Sequence, residues 1–150
     1  SYVKLYLEYL RNKLQPYCIL TDVSIVNKNI NFNNHLYQYA YIALALDTFP
    51  YNGVTTTFEA IWKGVPVLSI LGFNFNSRCG SSILKNLGID DLIAKNEDDY
   101  ISKAVYFSNN LQTLIRLRDK VYDLALKIPL FDTKSFSIDF ENKINFILKK

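Results

Sequence analysis

Three consecutive threonines, Thr55, Thr56 and Thr57, stand just after Asn52-Gly53-Val54, and Glu59 follows them by about one helical turn. Pro50 and Gly53 shape a turn ahead of them, so the threonines fall at a helix start. There the unpaired backbone donors, the dipole and the hydroxyls favour an anion, and a diphosphate is an anion of suitable size. The carboxylate of Glu59, one turn further in, can accept hydrogen bonds from a vicinal diol such as a ribose. Phosphate donors followed by a diol acceptor describe a nucleotide. The same residues also fit a plain structural account. Thr is a common helix cap, Thr56 to Glu59 has the Thr-x-x-Glu spacing of a capping box, and Trp62 is the kind of residue that fills a core. Spacing alone leaves both accounts open.

The elements that must position these residues alternate in type. Val3, Tyr6, Leu7, Leu10 and Leu14 recur every three or four positions and predict an amphipathic helix over Ser1 to Leu14, closed by Pro16. Tyr17 to Val26 reads as a strand, with Val23, Ile25 and Val26 at its centre, and the Asn-rich stretch Asn27 to Asn34 reads as a loop. A short helix is expected over His35 to Ala43, a buried strand at Leu44-Ala45-Leu46, a turn over Asp47 to Gly53, and a helix over Thr55 to Lys63 stopped by Gly64. Val65 to Ile70 returns to strand and Ser81 to Leu87 to helix, with Gly88 as its stop. Helices are expected over Asn96 to Ser108, with Asp98 and Asp99 in the first turn, over Leu111 to Lys127 and over Phe136 to Leu148. This α/β alternation implies a Rossmann-like parallel sheet with flanking helices, and ligands of such sheets sit beyond the carboxyl ends of the strands. The segment after Leu46 is such a place.

Composition narrows the partners. The chain of 150 residues is 49% hydrophobic and 21% charged, which suits one globular domain spanning 1–150. Its 17 basic and 14 acidic residues are spread along the chain, so the net charge of +3 argues against a nucleic-acid partner. Cys18 and Cys79 are too far apart to suggest a disulfide framework or zinc site, and a cytoplasmic location is the expectation. The longest apolar runs, Ala40 to Leu46 and Val65 to Phe73, are shorter than the roughly 20 residues that span a bilayer, so no membrane partner is expected. Met is absent, and the chain opens directly in a periodic run, which reads as a piece of something longer.

Beyond composition, Leu46-Asp47-Thr48-Phe49-Pro50-Tyr51-Asn52-Gly53, Thr55-Thr56-Thr57 and Trp62-Lys63-Gly64-Val65-Pro66-Val67 resemble the signature of the O-GlcNAc transferase family, especially its bacterial members. The likeness continues through Ser77-Arg78-Cys79-Gly80-Ser81-Ser82-Ile83-Leu84, Leu87-Gly88-Ile89, Leu92-Ile93-Ala94, Asp99-Tyr100, Leu117-Arg118 and Pro129-Leu130-Phe131-Asp132. It covers His35 to the C-terminus well and the first 34 residues only loosely.

The resemblance implies most of the nucleotide-sugar-binding C-terminal lobe of a glycosyltransferase-B fold, within an inverting enzyme. That enzyme moves a sugar, N-acetylglucosamine, from a UDP donor to protein Ser or Thr hydroxyls. Thr55 and Thr56 then match a pyrophosphate-contacting pair, with Thr57 beside them; Glu59 matches an acidic position that binds ribose hydroxyls, and His35 a histidine against the uracil ring. Asn52, Gly53 and Arg78 belong to a donor-site loop on this reading, although Arg78 equally suits a plain surface position. Asp47 ends a strand before a turn and is expected to bind local N–H groups rather than to act as a base. No metal or other cofactor is expected, and the catalytic residues and the protein acceptor are expected to depend on upstream regions, leaving this piece inactive alone. Val54 stands where some relatives carry His, which leaves the donor sugar open. Two alternatives remain at this point: a non-catalytic nucleotide-binding or protein-interaction domain, and another transferase such as a protein N-glucosyltransferase.

Overall fold

Val67 to Ile70 is an apolar run with one serine, and a strand of that composition is stable only when both of its faces are covered. The computed structural model, which describes residues 32–149, places it so. This strand, β2 (Val67–Ile70), is buried throughout and lies between β1 (Ala45–Leu46) and β3 (Ile93–Ala94). Both pairings are parallel, with Ala45 beside Val67 and Leu46 beside Leu68, then Ser69 beside Ile93 and Ile70 beside Ala94. Parallel neighbours need crossovers, and helices supply both. The expected Rossmann-like parallel sheet with flanking helices is therefore the architecture observed. The helix expected over Ser1 to Leu14 and the strand over Tyr17 to Val26 lie outside the described residues.

The first described helix, α1, spans Phe32–Gln38 and continues as a 3-10 turn over Tyr39–Tyr41. It starts inside the stretch read as a loop, because Asn is unfavourable in helix interiors but well tolerated at helix starts. It also stops short of Ala43. Arg118 donates to the carbonyl oxygens of Ile42 (2.5 Å) and Tyr39 (3.3 Å), satisfying acceptors that a longer helix would have used itself.

The crossover from β1 to β2 carries α2 (Thr55–Trp62), which ends one residue before the expected Lys63. Gly64 adopts φ +70°, with Gly64 N–H donating to Ile61 O and Val65 N–H to Ala60 O, a Schellman closure that only a residue tolerant of positive φ makes without strain. The second crossover carries a 3-10 turn (Asn76–Arg78) and α3 (Cys79–Leu87), closed in the same way by Gly88 at φ +78°. After β3 come α4 (Glu97–Asn109), capped by the Asn96 side chain on the Asp99 amide, and α5 (Leu111–Lys127), whose bounds are those expected. The last helix, α6 (Thr133–Leu148), begins three residues before the expected Phe136 because the Asp132 carboxylate accepts from the Ser135 amide and hydroxyl.

Ile61, Val67, Leu84, Leu87, Leu92 and Val121, from sheet, helices and their connections, form the centre of the core. Each such fully buried side chain contributes about 1.5–3 kcal/mol relative to an exposed one. Trp62 is not among them: it is 48% exposed and packs on Phe131, its ring centroid 5.2 Å away. All of α6 is exposed, including Phe136 and Phe140, whose rings stack. No described helix is long and apolar enough to cross a membrane.

Candidate functional site

The loop between β1 and α2 leaves the carboxyl edge of the sheet, and Asp47 anchors it. The Asp47 carboxylate accepts from the Gly53 amide (2.8 Å) and from the Ser69 hydroxyl (2.7 Å), while its main-chain oxygen accepts from Tyr100 (2.9 Å). Asp47 thus binds local N–H and O–H groups, as expected from its place at a strand end. Burial raises its pKa, and the bonds from Gly53, Ser69 and Thr48 offset part of that effect. Gly80 permits the arrangement, since a Cβ there would come within 2.3 Å of both Asp47 Oδ2 and Ser69 Oγ.

That anchoring sets the start of α2. Val54 holds the N-cap position, contributes no side-chain cap, and leaves the amides of Thr55, Thr56 and Thr57 without an acceptor among the described residues. Thr55 and Thr56 are exposed, whereas Thr57 is buried and turns its hydroxyl back to Gly53 O at 2.9 Å. Gly53 has no room for a side chain, because a Cβ would lie 2.4 Å from Thr56 Oγ1. Asn52 is buried under the loop, its amide donating to Thr48 O at 2.8 Å. Its Oδ1 has no partner in the structure.

The capping box that Thr56 to Glu59 spacing suggested is not formed. Glu59 instead turns toward α1, where its Oε2 lies 2.9 Å from His35 Nε2 and accepts from the Tyr39 hydroxyl at 3.0 Å. Both contacts converge on one oxygen and leave Oε1 without a partner among the described residues. The Tyr39 hydroxyl also lies 3.4 Å from Thr56 O. Burial, followed by the hydrogen bond and charge of Glu59, raises the Tyr39 pKa and keeps the phenol a neutral donor. His35 is partly exposed, its ring meeting the Tyr39 ring edge to face at 5.6 Å.

Two cavities flank the α2 start. One of about 190 Å³ is lined by Tyr39, Asp47, Gly53, Thr56, Thr57 and Ala60 among others. The other, about 430 Å³, is lined on the opposite side by Val54, Phe58, Phe73, Phe75 and Arg78, with Ser82 and Ile83 beneath. The structure therefore brings His35, Glu59, Thr56 and Thr57 together, with Thr55 beside them. It sets Arg78 across the larger cavity and Asn52 under the loop. No three His, Cys, Asp or Glu side chains group to hold a metal ion among the described residues.

Tyr39 was not singled out from the sequence, although a signal existed. It stands four residues after His35, hence on the same helical face. Arg118, which holds the Tyr39 carbonyl, stands in the sequence only within the Leu117-Arg118 part of the resemblance, which gives it no role. It reaches α1 from α5, far along the chain.

Comparison with known proteins gives this geometry a context. Residues 11–140 match the family described as glycosyl transferase family 41. A tomato (Solanum lycopersicum) protein named Probable UDP-N-acetylglucosamine–peptide N-acetylglucosaminyltransferase SPINDLY is 36% identical over 110 residues, covering 73% of this chain and 12% of its own length. The Caenorhabditis elegans UDP-N-acetylglucosamine–peptide N-acetylglucosaminyltransferase is 29% identical over 141 residues, covering 91% of this chain and 12% of its own. Among solved structures, a mutant Thermobaculum terrenum O-GlcNAc transferase superposes with a TM-score of 0.71 at 34% identity, covering 77% of this chain and 22% of that one. The chain thus spans about an eighth of the length of these curated relatives.

Proposed function

This chain belongs to glycosyl transferase family 41, and on that premise we propose that it forms the nucleotide-sugar-binding lobe of an inverting protein glycosyltransferase. The donor is a UDP-sugar, with N-acetylglucosamine as the sugar, and the acceptor is a protein Ser or Thr hydroxyl. One observation carries the reading: an uncapped helix start bearing Thr55 and Thr56 lies one turn from a carboxylate that His35 and Tyr39 hold in place.

On this reading each residue has a chemical task. The free amides of α2 and the Thr55 and Thr56 hydroxyls bind the diphosphate; Glu59 Oε1 accepts from a ribose hydroxyl; His35 lies against the uracil. As the glycosidic bond breaks, negative charge accumulates on the departing UDP. Donors fixed in place beforehand stabilise that charge without reorganising, which is where such sites gain most of their rate. Arg78, which lines the larger cavity together with Val54, adds positive charge near the helix start. The space of about 430 Å³ beside Val54 is left for the sugar and the approaching acceptor. Its Val54 wall offers the sugar an apolar contact in place of a polar one.

Calorimetric titration with UDP, with and without magnesium, tests the reading. Binding independent of magnesium is expected, and Thr56→Ala and Glu59→Ala should each weaken it by about tenfold, the effect of one hydrogen bond involving a charged group. Absence of UDP binding by the folded protein, or binding indifferent to both substitutions, would refute it.

A further inference from the structure

Glu59 is a helical side chain with several rotatable bonds, yet an acceptor that recognises one hydroxyl must hold one direction. The structure supplies the restraint through Tyr39. Its hydroxyl has a single proton, and of the two oxygens within reach, Glu59 Oε2 at 3.0 Å is both closer and charged, whereas Thr56 O lies at 3.4 Å. The proton therefore goes to the carboxylate. Tyr39 is itself fixed: it is 7% exposed, its carbonyl accepts from Arg118 and its ring abuts that of His35. His35 reaches the same Oε2, but its ring is partly exposed and its donor role changes with tautomer. Tyr39 is the donor that stays in place when His35 is occupied by a base.

We propose that Tyr39 is a positioning residue which, by binding Glu59 Oε2, aims Oε1 at the sugar of the nucleotide and so sets the protein's preference for ribonucleotides over deoxyribonucleotides. This rests on the nucleotide reading above and deepens it. A freely rotating carboxylate meets water as well as it meets a ribose hydroxyl, and loss of that hydroxyl then costs little. A carboxylate held in one direction is left unpaired when the hydroxyl is missing, and the analogue is rejected. Tyr39 is thus expected to act on discrimination, rather than on nucleotide affinity in general.

The test is titration of the protein and its Tyr39→Phe variant with UDP, 2′-deoxy-UDP and 3′-deoxy-UDP, each variant's melting transition being recorded in parallel. The wild type should prefer UDP over the weaker deoxy analogue by about tenfold. Tyr39→Phe should shrink that preference to about threefold or less by weakening UDP while leaving the analogue unchanged. In a Glu59→Ala background the preference should already be lost, with Tyr39→Phe changing nothing further. The proposal is overturned if Tyr39→Phe keeps the wild-type preference, if it weakens all three ligands by one factor, or if it alters the preference when Glu59 is absent. Failure of the wild type to bind UDP would instead strike the nucleotide reading, and this inference with it.

Discussion

Asp47 shows how one residue can shape a site without entering it. Its carboxylate ties the Gly53 amide to Ser69, so the direction in which α2 begins depends on a partly buried charge. Because burial raises its pKa, the folded state binds the Asp47 proton more tightly than the unfolded chain does. Asp47 therefore contributes most to stability below the ordinary carboxylate range, and that contribution falls as pH rises through its raised folded value. Urea unfolding of the wild type and of Asp47→Asn across this window should show the wild type losing ground to the variant as pH rises, with a constant difference above it. A difference moving the opposite way would show that the bonds from Gly53 and Ser69 outweigh burial. At this scale the sequence carried much of the site. Thr55, Thr56 and Glu59 are neighbours along the chain, so a single helix register gathers them. Tyr39 and Glu59 are 20 residues apart, and their meeting depends on how α1 packs against α2, which local spacing does not encode.

The elements were legible where they end in residues with one conformational meaning. Gly64 and Gly88 marked the stops of α2 and α3, and both adopt positive φ. Strand β3 has two residues and follows directly on a 3-10 turn over Asp90–Leu92, so no run of strand-forming residues bounded by turn signals marks it. The early start of α6 escaped because Asp132 was read only as part of a resemblance, not as a cap. Packing between elements predicts one substitution plainly. At Gly80, on the first turn of α3, an added Cβ meets Asp47 Oδ2 and Ser69 Oγ at 2.3 Å, with Ser69 inside β2 and unable to retreat. Gly80→Ala should destabilise the protein by about 1–3 kcal/mol in denaturant unfolding, despite the better helix propensity of alanine. A neutral or stabilising result would mean that α3 can slide away from the sheet at little cost.

Across the whole molecule, two parallel crossovers place the end of β1, the start of α2 and the turn before α3 around one edge of the sheet. Tyr100 ties that edge to α4, and Arg118 ties α5 to the segment that leads into β1. The class of fold followed from the alternation of strand and helix patterns, because parallel strands require crossovers of that kind. Which face of each helix meets the site did not follow, since it depends on packing that no local pattern records. The central claim is that the start of α2 receives the diphosphate of a nucleotide, and amide chemical-shift mapping during titration with UDP addresses it directly. At 17.4 kDa the chain suits this measurement. The amides of Thr55, Thr56 and Thr57 should move most, with those of His35, Tyr39 and Glu59 next and the outer face of α6 unmoved. Shifts confined to α6, or spread evenly over the surface, would contradict the account.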